Sequence, residues 1–270
     1  MVREIITDKN QINRIKTYVE GFDEHLQGGI PEGHIVLVSG VAGTMKSSFV
    51  FNVLYNEALN GRVCMYVSLE QSYTSLINHM VNMDFKMDKV NLVILSDISK
   101  INEAIAQIDE NKGALIITDL SSIRKQVKQI QVDSTKDWLN VIKNIVKKVK
   151  DKAKCDLFCL DSMSALYVLS NFDDARTKLF HVFEFLRDLE ITSFLISEMP
   201  LSKHKYSEYE VEDYLADGII VLDLARHQRK VSREIAVVKM RGTDCNHDIF
   251  TLEFKDGKFH ALYGGKIPLI

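Results

Sequence analysis

"GVAGTMKSS", residues 40–48, lies between a short apolar run and a helical pattern. It matches the phosphate-loop pattern G-x-x-x-x-G-K-[ST] at Gly40, Lys46 and Ser47, with Met45 in place of the second glycine. Such a loop needs a preceding strand and a following helix, so that backbone N–H groups and the helix N-terminus both point at phosphate. Here "HIVLVS" predicts the strand and "KSSFVFNVLYNEAL" the helix. The alternative is a glycine-containing turn without a ligand.

The phosphate-binding prediction covers every residue of the loop: Gly40, Val41, Ala42, Gly43, Thr44, Met45, Lys46, Ser47 and Ser48. In this pattern Lys46 reaches the β- and γ-phosphates and the Ser47 hydroxyl binds Mg²⁺. A methionine side chain at position 45 must point away from phosphate. Its N–H can still donate if the local backbone is helical and not left-handed. We expect nucleotide binding to survive with a changed affinity.

Composition restricts the function classes. The chain has 270 residues, 46% of them hydrophobic, which is enough for one large domain. Its apolar runs are strand-sized, far below the roughly 20 residues that cross a bilayer. The charged N-terminal stretch lacks the apolar run of a secretory signal, so we expect a cytoplasmic protein without membrane contact. A net charge of -3 gives no whole-chain case for nucleic-acid binding.

The four cysteines are too scattered for a disulfide framework or a zinc site. We interpret Cys155 and Cys159 as small core residues that share one strand.

Short apolar runs alternate with longer helical patterns, which predicts an α/β fold with a mostly parallel central sheet flanked by helices. After residue 218 short strands separated by turns predict antiparallel strands at the C-terminal edge. The predicted strands are 34–39, 63–68, 91–95, 114–118, 156–160, 191–197 and 218–223. The predicted helices are 46–60, 71–83, 100–111, 135–152 and 174–189.

Four further stretches accompany the loop: "GFDEHLQGGIPEG" (21–33), "YVSLEQS" (66–72), "DLFCLDSMSAL" (156–166) and "KMRGT" (239–243). Together they resemble the KaiC/RadA branch of RecA-type ATPases over roughly residues 18–265. The resemblance implies a RecA-like P-loop fold, one domain over residues 1–270, and ATP with Mg²⁺ as ligands. It also implies a homo-oligomer, with a hexameric ring expected, and an ATP/ADP cycle that regulates assembly or the binding of an unnamed protein partner.

The resemblance assigns catalytic roles residue by residue. Asp161 resembles the Walker B aspartate and would hold Mg²⁺ from a strand beside the loop strand. Glu70 would activate the attacking water, although the family usually has two adjacent glutamates where this chain has Glu70 and Gln71. Lys239 and Arg241 would reach a neighbouring subunit's γ-phosphate. Without a functional role, Glu70 would be an early-helix acid and the basic pair would belong to a solvated strand.

Two other acidic residues end apolar runs. Asp119 is a rival for the metal, which we interpret instead as a helix or turn cap. Glu198 is a candidate sensor of the γ-phosphate.

Two other functions stay open. A RadA-type DNA-binding ATPase is not favoured, because the candidate DNA loop "PLSKHKYSEYEVEDY" (200–214) is acidic in its second half. A nucleotide-binding scaffold with little hydrolysis is suggested by Met45 and Gln71. A clock-type phosphorylation cycle is not expected, because Asp213 and Tyr214 occupy the positions of its Ser-Thr pair. One set of lysines is interpreted as a solvated helix face: Lys143, Lys147, Lys148, Lys150, Lys152 and Lys154.

Overall fold

An eleven-stranded sheet crosses the part of the chain that the computed structural model describes, residues 12–109, 112–129, 138–170, 174–199, 206–227 and 230–263. The strands are β1 (Arg14–Ile15), β2 (Val19–Glu20), β3 (Ile30–Pro31), β4 (Ile35–Gly40), β5 (Val63–Ser68), β6 (Asn91–Ile94), β7 (Ala114–Asp119), β8 (Leu157–Asp161), β9 (Thr192–Glu198), β10 (Gly218–His227), β11 (Lys230–Met240), β12 (Phe250–Lys255) and β13 (Lys258–Tyr263). The sheet order is β2-β13-β12-β11-β10-β4-β9-β8-β5-β7-β6, and β1 pairs separately with β3.

The helices are α1 (Lys46–Leu59), α2 (Tyr73–Asn82), α3 (Ile101–Ile105), α4 (Leu120–Gln129), α5 (Trp138–Ala153), α6 (Met163–Leu169), α7 (Ala175–Asp188) and α8 (Val211–Leu215). They cover both faces of the strands from β10 to β6, which all run parallel. The β10-β11-β12-β13 edge is antiparallel. This arrangement is the predicted α/β fold.

The central strands are apolar on both faces because each face packs into its own core. In β4, Val36 and Val38 join the core beneath α1, while Ile35 and Leu37 join the core beneath α5, α6 and α7. All six residues of β4 are buried. The two-residue alternation of a strand thus explains why these runs read as continuously hydrophobic in the sequence.

Several details differ from the sequence prediction. The loop strand β4 lies between β10 and β9, and β8 lies beyond β9, so the predicted place of Asp161 was wrong by one strand. The helix predicted at 100–111 is the shorter α3, with residues 110–111 outside the described part. Helices α4, α6 and α8 were not predicted. Of the helix predicted at 135–152, residues 135–137 also fall outside the described residues.

Strand register brings the carboxyl ends of the parallel strands to one edge of the sheet. Gly40 is in register with Glu198, and Ser68 is in register with both Asp161 and Asp119. Ligands of open α/β sheets bind outside this edge. The loop and the acidic candidates from four different strands therefore lie at the same place in the fold.

The cysteines and α5 fulfil packing roles. Cys159 lies in β8, whereas Cys155 precedes that strand, so the two do not share it; both are buried and unpaired. Burial raises the pKa of the Cys155 thiol to about 12. The apolar side of α5 faces the core, and its lysines are exposed or half-buried, as predicted. No helix in the described ranges is long and apolar enough to span a membrane.

Candidate phosphate-binding site

The loop between β4 and α1 begins at Gly40, a position that has no room for a side chain. A Cβ on Gly40 would lie 2.1 Å from the carbonyl oxygen of Leu222 on the adjacent strand β10. Close packing of β10 against the loop therefore depends on Gly40. Within the loop, the buried Thr44 hydroxyl donates to the Val41 carbonyl at 2.8 Å and closes the turn.

Backbone donors line the loop without protein acceptors. Among the described residues, no amide N–H from Val41 to Ser48 donates to a backbone or side-chain acceptor. The last of these residues form the first turn of α1, where the helix dipole adds a partial positive charge. A succession of free N–H groups at a helix N-terminus is an anion-binding arrangement.

Met45 takes the backbone conformation that glycine takes elsewhere. It precedes α1 with φ 71° and ψ 29°, in the left-handed region. The helical alternative considered from the sequence is therefore not the one adopted. Its half-buried side chain packs against the core beneath α1. Glycine adopts this left-handed conformation without strain, and in this chain the extra side chain turns toward the protein interior.

Lys46 lies folded over the loop. Its Nζ donates to the carbonyl oxygens of Gly40 at 2.9 Å and Val41 at 3.1 Å. Burial lowers the pKa of Lys46, while the carboxylates of Glu198, Glu70 and Asp161, in decreasing order, act in the opposite direction. The lysine is the positive centre of an otherwise acidic strand edge.

Asp161 and Ser47 lie together beside the loop. Burial raises the pKa of Asp161, opposed by the Tyr66 hydroxyl, which donates to Oδ2 at 2.5 Å, and next by the nearby Ser47 side chain. One hydroxyl and one carboxylate suit Mg²⁺, which keeps several waters and takes its remaining ligands from phosphates. Within the described ranges no cluster of three His, Cys, Asp or Glu side chains could hold a metal alone.

Glu70 follows β5 and is exposed at the same edge. Its Oε1 accepts a hydrogen bond from the Ser162 hydroxyl, which also accepts from the Ala165 amide as the N-cap of α6. A cleft of about 170 Å³ opens beside it, lined also by Gln71 and Asp119. A carboxylate fixed on one oxygen next to open space can orient a water molecule.

Asp119 serves as a cap, as interpreted from the sequence. Its Oδ1 accepts from the Ser122 amide at 2.9 Å, three residues into the helix that begins at Leu120. Its Oδ2 accepts from the Tyr73 amide at 3.1 Å. Burial would raise the pKa of Asp119, but these hydrogen bonds, led by the Ser122 amide, lower it overall. With both oxygens engaged, Asp119 has little capacity left for a metal.

Lys239 and Arg241 lie away from their own loop. Lys239 pairs with Ile219, which pairs with Leu37, so along the strand direction it lies three residues, or about 10 Å, before the Gly40 end of β4. Its Nζ donates to the carbonyls of Asp213 at 3.0 Å and Ala216 at 2.7 Å around α8.

Arg241, just past the end of β11, pairs with the Asp217 carboxylate at 2.8 Å. Neither side chain contacts residues 40–48 among the described contacts. The structure therefore does not bring these two residues to the loop of the same chain.

A bulge explains which way these basic residues face. The β10-β11 register shifts between Ile219 and Ile220, so that Val238 has no partner. Before the bulge, Ile235 and Val237 pack into the core beneath α1; after it, Lys239 contacts α8 on the other face. An extra residue reverses the alternation of a strand.

Three contacts at the site were not predicted. Tyr66 and Ser162 hydrogen-bond Asp161 and Glu70, and Arg233 Nε donates to the Gly43 carbonyl of the loop at 3.1 Å. Tyr66 and Ser162 stood inside the quoted stretches, and their positions, in β5 two residues before its end and directly after β8, could have indicated them. Nothing in the sequence around Arg233 indicates its contact, because the contact depends on sheet order.

The candidate DNA-loop segment is only partly visible: residues 200–205 lie outside the described part of the chain. Its remainder holds Glu212, which is fully buried and accepts hydrogen bonds from Tyr167 and Ser207.

Comparisons with known proteins agree with this architecture. The family model "ATPase: KaiC" matches residues 15–260. A UPF0273 protein of Thermotoga maritima is 30% identical over 232 residues, covering 86% of this chain and 88% of that protein. A UPF0273 protein of Saccharolobus solfataricus is 32% identical over 234 residues, covering 86% of this chain and 76% of its own.

More distant relatives include a clock protein and a solved structure. The circadian clock protein KaiC3 of Synechocystis is 25% identical over 234 residues, which are 86% of this chain but 42% of that longer protein. The crystal structure of a KaiC-like protein from Pyrococcus horikoshii superimposes with a TM-score of 0.67 at 24% identity, covering 93% of this chain and 99% of its own. At that identity the likeness concerns the fold alone.

Proposed function

This chain belongs to the KaiC family of ATPases, and we propose that it binds ATP with Mg²⁺ at residues 40–48 and hydrolyses it. The observation that carries the proposal is the row of unpaired N–H groups from Val41 to Ser48, with Lys46 beside it. In this structure Lys46 donates to carbonyls of its own loop. A polyphosphate would compete for this ammonium group, since a charged acceptor binds it more strongly than a carbonyl does.

Mg²⁺ would be held by Ser47 and Asp161. When bound, the ion neutralises charge on the β- and γ-phosphates and fixes their position. The short Tyr66 contact orients the Asp161 carboxylate, and the neighbouring Ser47 side chain would supply the hydroxyl ligand.

Glu70 would orient or deprotonate the attacking water. The hydrogen bond from Ser162 fixes one carboxylate oxygen, and Glu70 lines the open cleft, where the attacking water would lie. Gln71, in place of a second glutamate, supplies no further base, so we expect slow turnover.

Lys239 and Arg241 would act on a neighbouring subunit's nucleotide. Support comes from their position at least three residues along the strands from the loop end of β4, and from their contacts with α8. The active unit is then a ring-shaped homo-oligomer. The nucleotide bound to one subunit contacts the next subunit and so stabilises the ring. Light scattering with and without ATP tests this: an unchanged molar mass would refute nucleotide-dependent assembly.

A second candidate is a nucleotide-binding scaffold with little hydrolysis. The left-handed Met45 and the single base Glu70 favour it over a fast enzyme.

Calorimetric titration with ATP and Mg²⁺ and an assay of phosphate release separate these outcomes. We expect binding with slow release of phosphate, and Glu70→Gln should abolish release while it preserves binding. Glu103→Gln, an exposed acid on α3, is the matched control and should change neither. Absence of ATP binding by the folded protein would refute the proposal, and binding without release would favour the scaffold.

A further inference from the structure

We propose that Arg233 is a positioning residue for the phosphate loop of its own chain, acting through the carbonyl of Gly43. Its Nε donates to that carbonyl at 3.1 Å, across a sequence separation of 190 residues. The inference rests on the proposed ATP binding and adds a residue to that site. Lys239, on the same strand, and Arg241, just past its end, contact α8 and have a different proposed role.

The contact exists because β10 and β11 continue past the end of β4. β10 pairs with β4 only as far as Leu222 and Gly40, whereas its ladder with β11 continues to His227 and Lys230. We call this extension, residues 223–227 and 230–234, the arm. Because Gly40 has no side chain, the carbonyl of Leu222 lies close to the loop, and the arm begins directly beside the loop.

Arg233 lies on the side of β11 that faces the loop. Ile235 and Val237, at the two alternate positions that follow, pack into the core beneath α1, the helix that the loop opens. The bulge at Val238 lies beyond them, so it turns Lys239 to the opposite face without affecting Arg233. Position 233 is therefore the place on β11 where a long basic side chain reaches residues 40–48 of its own chain.

The bond to Gly43 has a defined consequence for the loop. In a trans peptide the C=O and the following N–H point in opposite directions. When Arg233 holds the Gly43 carbonyl, the Thr44 N–H points away from the arm, and it has no acceptor among the described residues. Gly43 has φ 86° and no side chain, so without this bond its peptide can rotate readily. Arg233 thereby fixes one donor for phosphate in advance.

Fixing this peptide affects every ligand that uses the loop donors. The loop N–H groups bind the α- and β-phosphates, which ADP and ATP share. Loss of the Arg233 bond should thus weaken both nucleotides by the same factor, about 3- to 10-fold, the range for one hydrogen bond. A side chain that touched the terminal phosphate would change ATP binding alone.

The test compares Arg233→Ala, Arg233→Lys and Arg226→Ala by calorimetric titration with ATP and with ADP. Arg226 is an exposed arginine on the same arm without a side-chain hydrogen bond or ion pair among the described residues, so its removal changes the charge alone. We expect equal losses for the two nucleotides in Arg233→Ala, partial recovery in Arg233→Lys, and affinities like those of the unmodified protein in Arg226→Ala. Midpoints of unfolding without nucleotide should agree between the two alanine variants.

Three results would overturn the inference: unchanged affinity in Arg233→Ala, the same loss in Arg226→Ala, or a loss confined to ATP. If the unmodified protein binds no ATP, the proposed function fails and this inference fails with it. If the unmodified protein binds ATP and Arg233→Ala binds equally well, the inference alone fails.

Discussion

Replacing Met45 by glycine and by alanine tests the left-handed conformation of the loop. The residue has φ 71° and ψ 29°, and its side chain packs half-buried against the core beneath α1. Alanine keeps the unfavourable conformation and loses the packing. Glycine removes the unfavourable conformation but also loses the packing.

The magnitudes follow from these two terms. A non-glycine residue in the left-handed region costs about 1–2 kcal/mol. Glycine relieves that cost, but its greater conformational freedom in the unfolded chain lowers the stability by about 0.4–1 kcal/mol. Met45→Gly should therefore be more stable than Met45→Ala by about 0.5–1 kcal/mol. Against the unmodified protein, Met45→Ala should lose about 1 kcal/mol, since full burial of such a side chain contributes about 1.5–3 kcal/mol.

Urea unfolding of the three proteins at equal concentration measures these differences. Both variants should still bind ATP, because the backbone path changes in neither. An alanine variant as stable as the glycine variant would refute the left-handed conformation at position 45. A glycine variant that loses several kcal/mol would show that the packing of Met45, and not its backbone, dominates.

Three further outcomes are expected. Asp119→Ala should lose about 1–2 kcal/mol of stability, as the loss of an N-cap does. Because the native pKa of Asp119 is lowered, the stabilisation by its charge is complete above the unfolded pKa near 4 and disappears as the pH falls through the native pKa. Unfolding measured as a function of pH, in comparison with Asp119→Asn, would detect this loss. In thiol labelling of the native protein Cys245 should react first, because the other three cysteines are buried; equal rates would contradict the core. Mixing Glu70→Gln subunits with Arg241→Ala subunits should restore part of the phosphate release that each lacks alone, and no restoration would argue against a site shared between subunits.

The sequence predicts what depends on local pattern. The parallel strands are recognisable because burial on both faces leaves runs such as Ile35–Gly40 apolar throughout, and their predicted bounds deviate by a residue or two at most ends. The loop is recognisable because its chemistry needs glycine, lysine and serine at fixed spacing. The interpretation of Asp119 as a helix or turn cap is also confirmed, although the helix that it caps, α4, was not predicted.

What the sequence does not predict depends on pairing between distant strands. Sheet order separates β8 from β4 by β9, and no spacing along the chain indicates this. The bulge at Val238 decides that Lys239 faces α8, although simple alternation would place it on the side of Ile235. Helices α6 and α8 are too short for a periodic signal to stand out.

The replacement of glycine by Met45 does not by itself indicate a lost site. A methionine in the left-handed region costs free energy, and its packing against the core offsets part of that cost. The Thr44 bond to Val41 and the Arg233 bond to Gly43 hold the same turn from two further sides. A loop held in this way has less conformational freedom to lose when it binds a ligand. A site that had lost its function would have no need of three independent contacts that maintain one backbone path. We therefore expect Met45→Gly to bind ATP no more tightly than the unmodified protein. A large gain in affinity on that substitution would show that Met45 holds the loop away from its binding conformation.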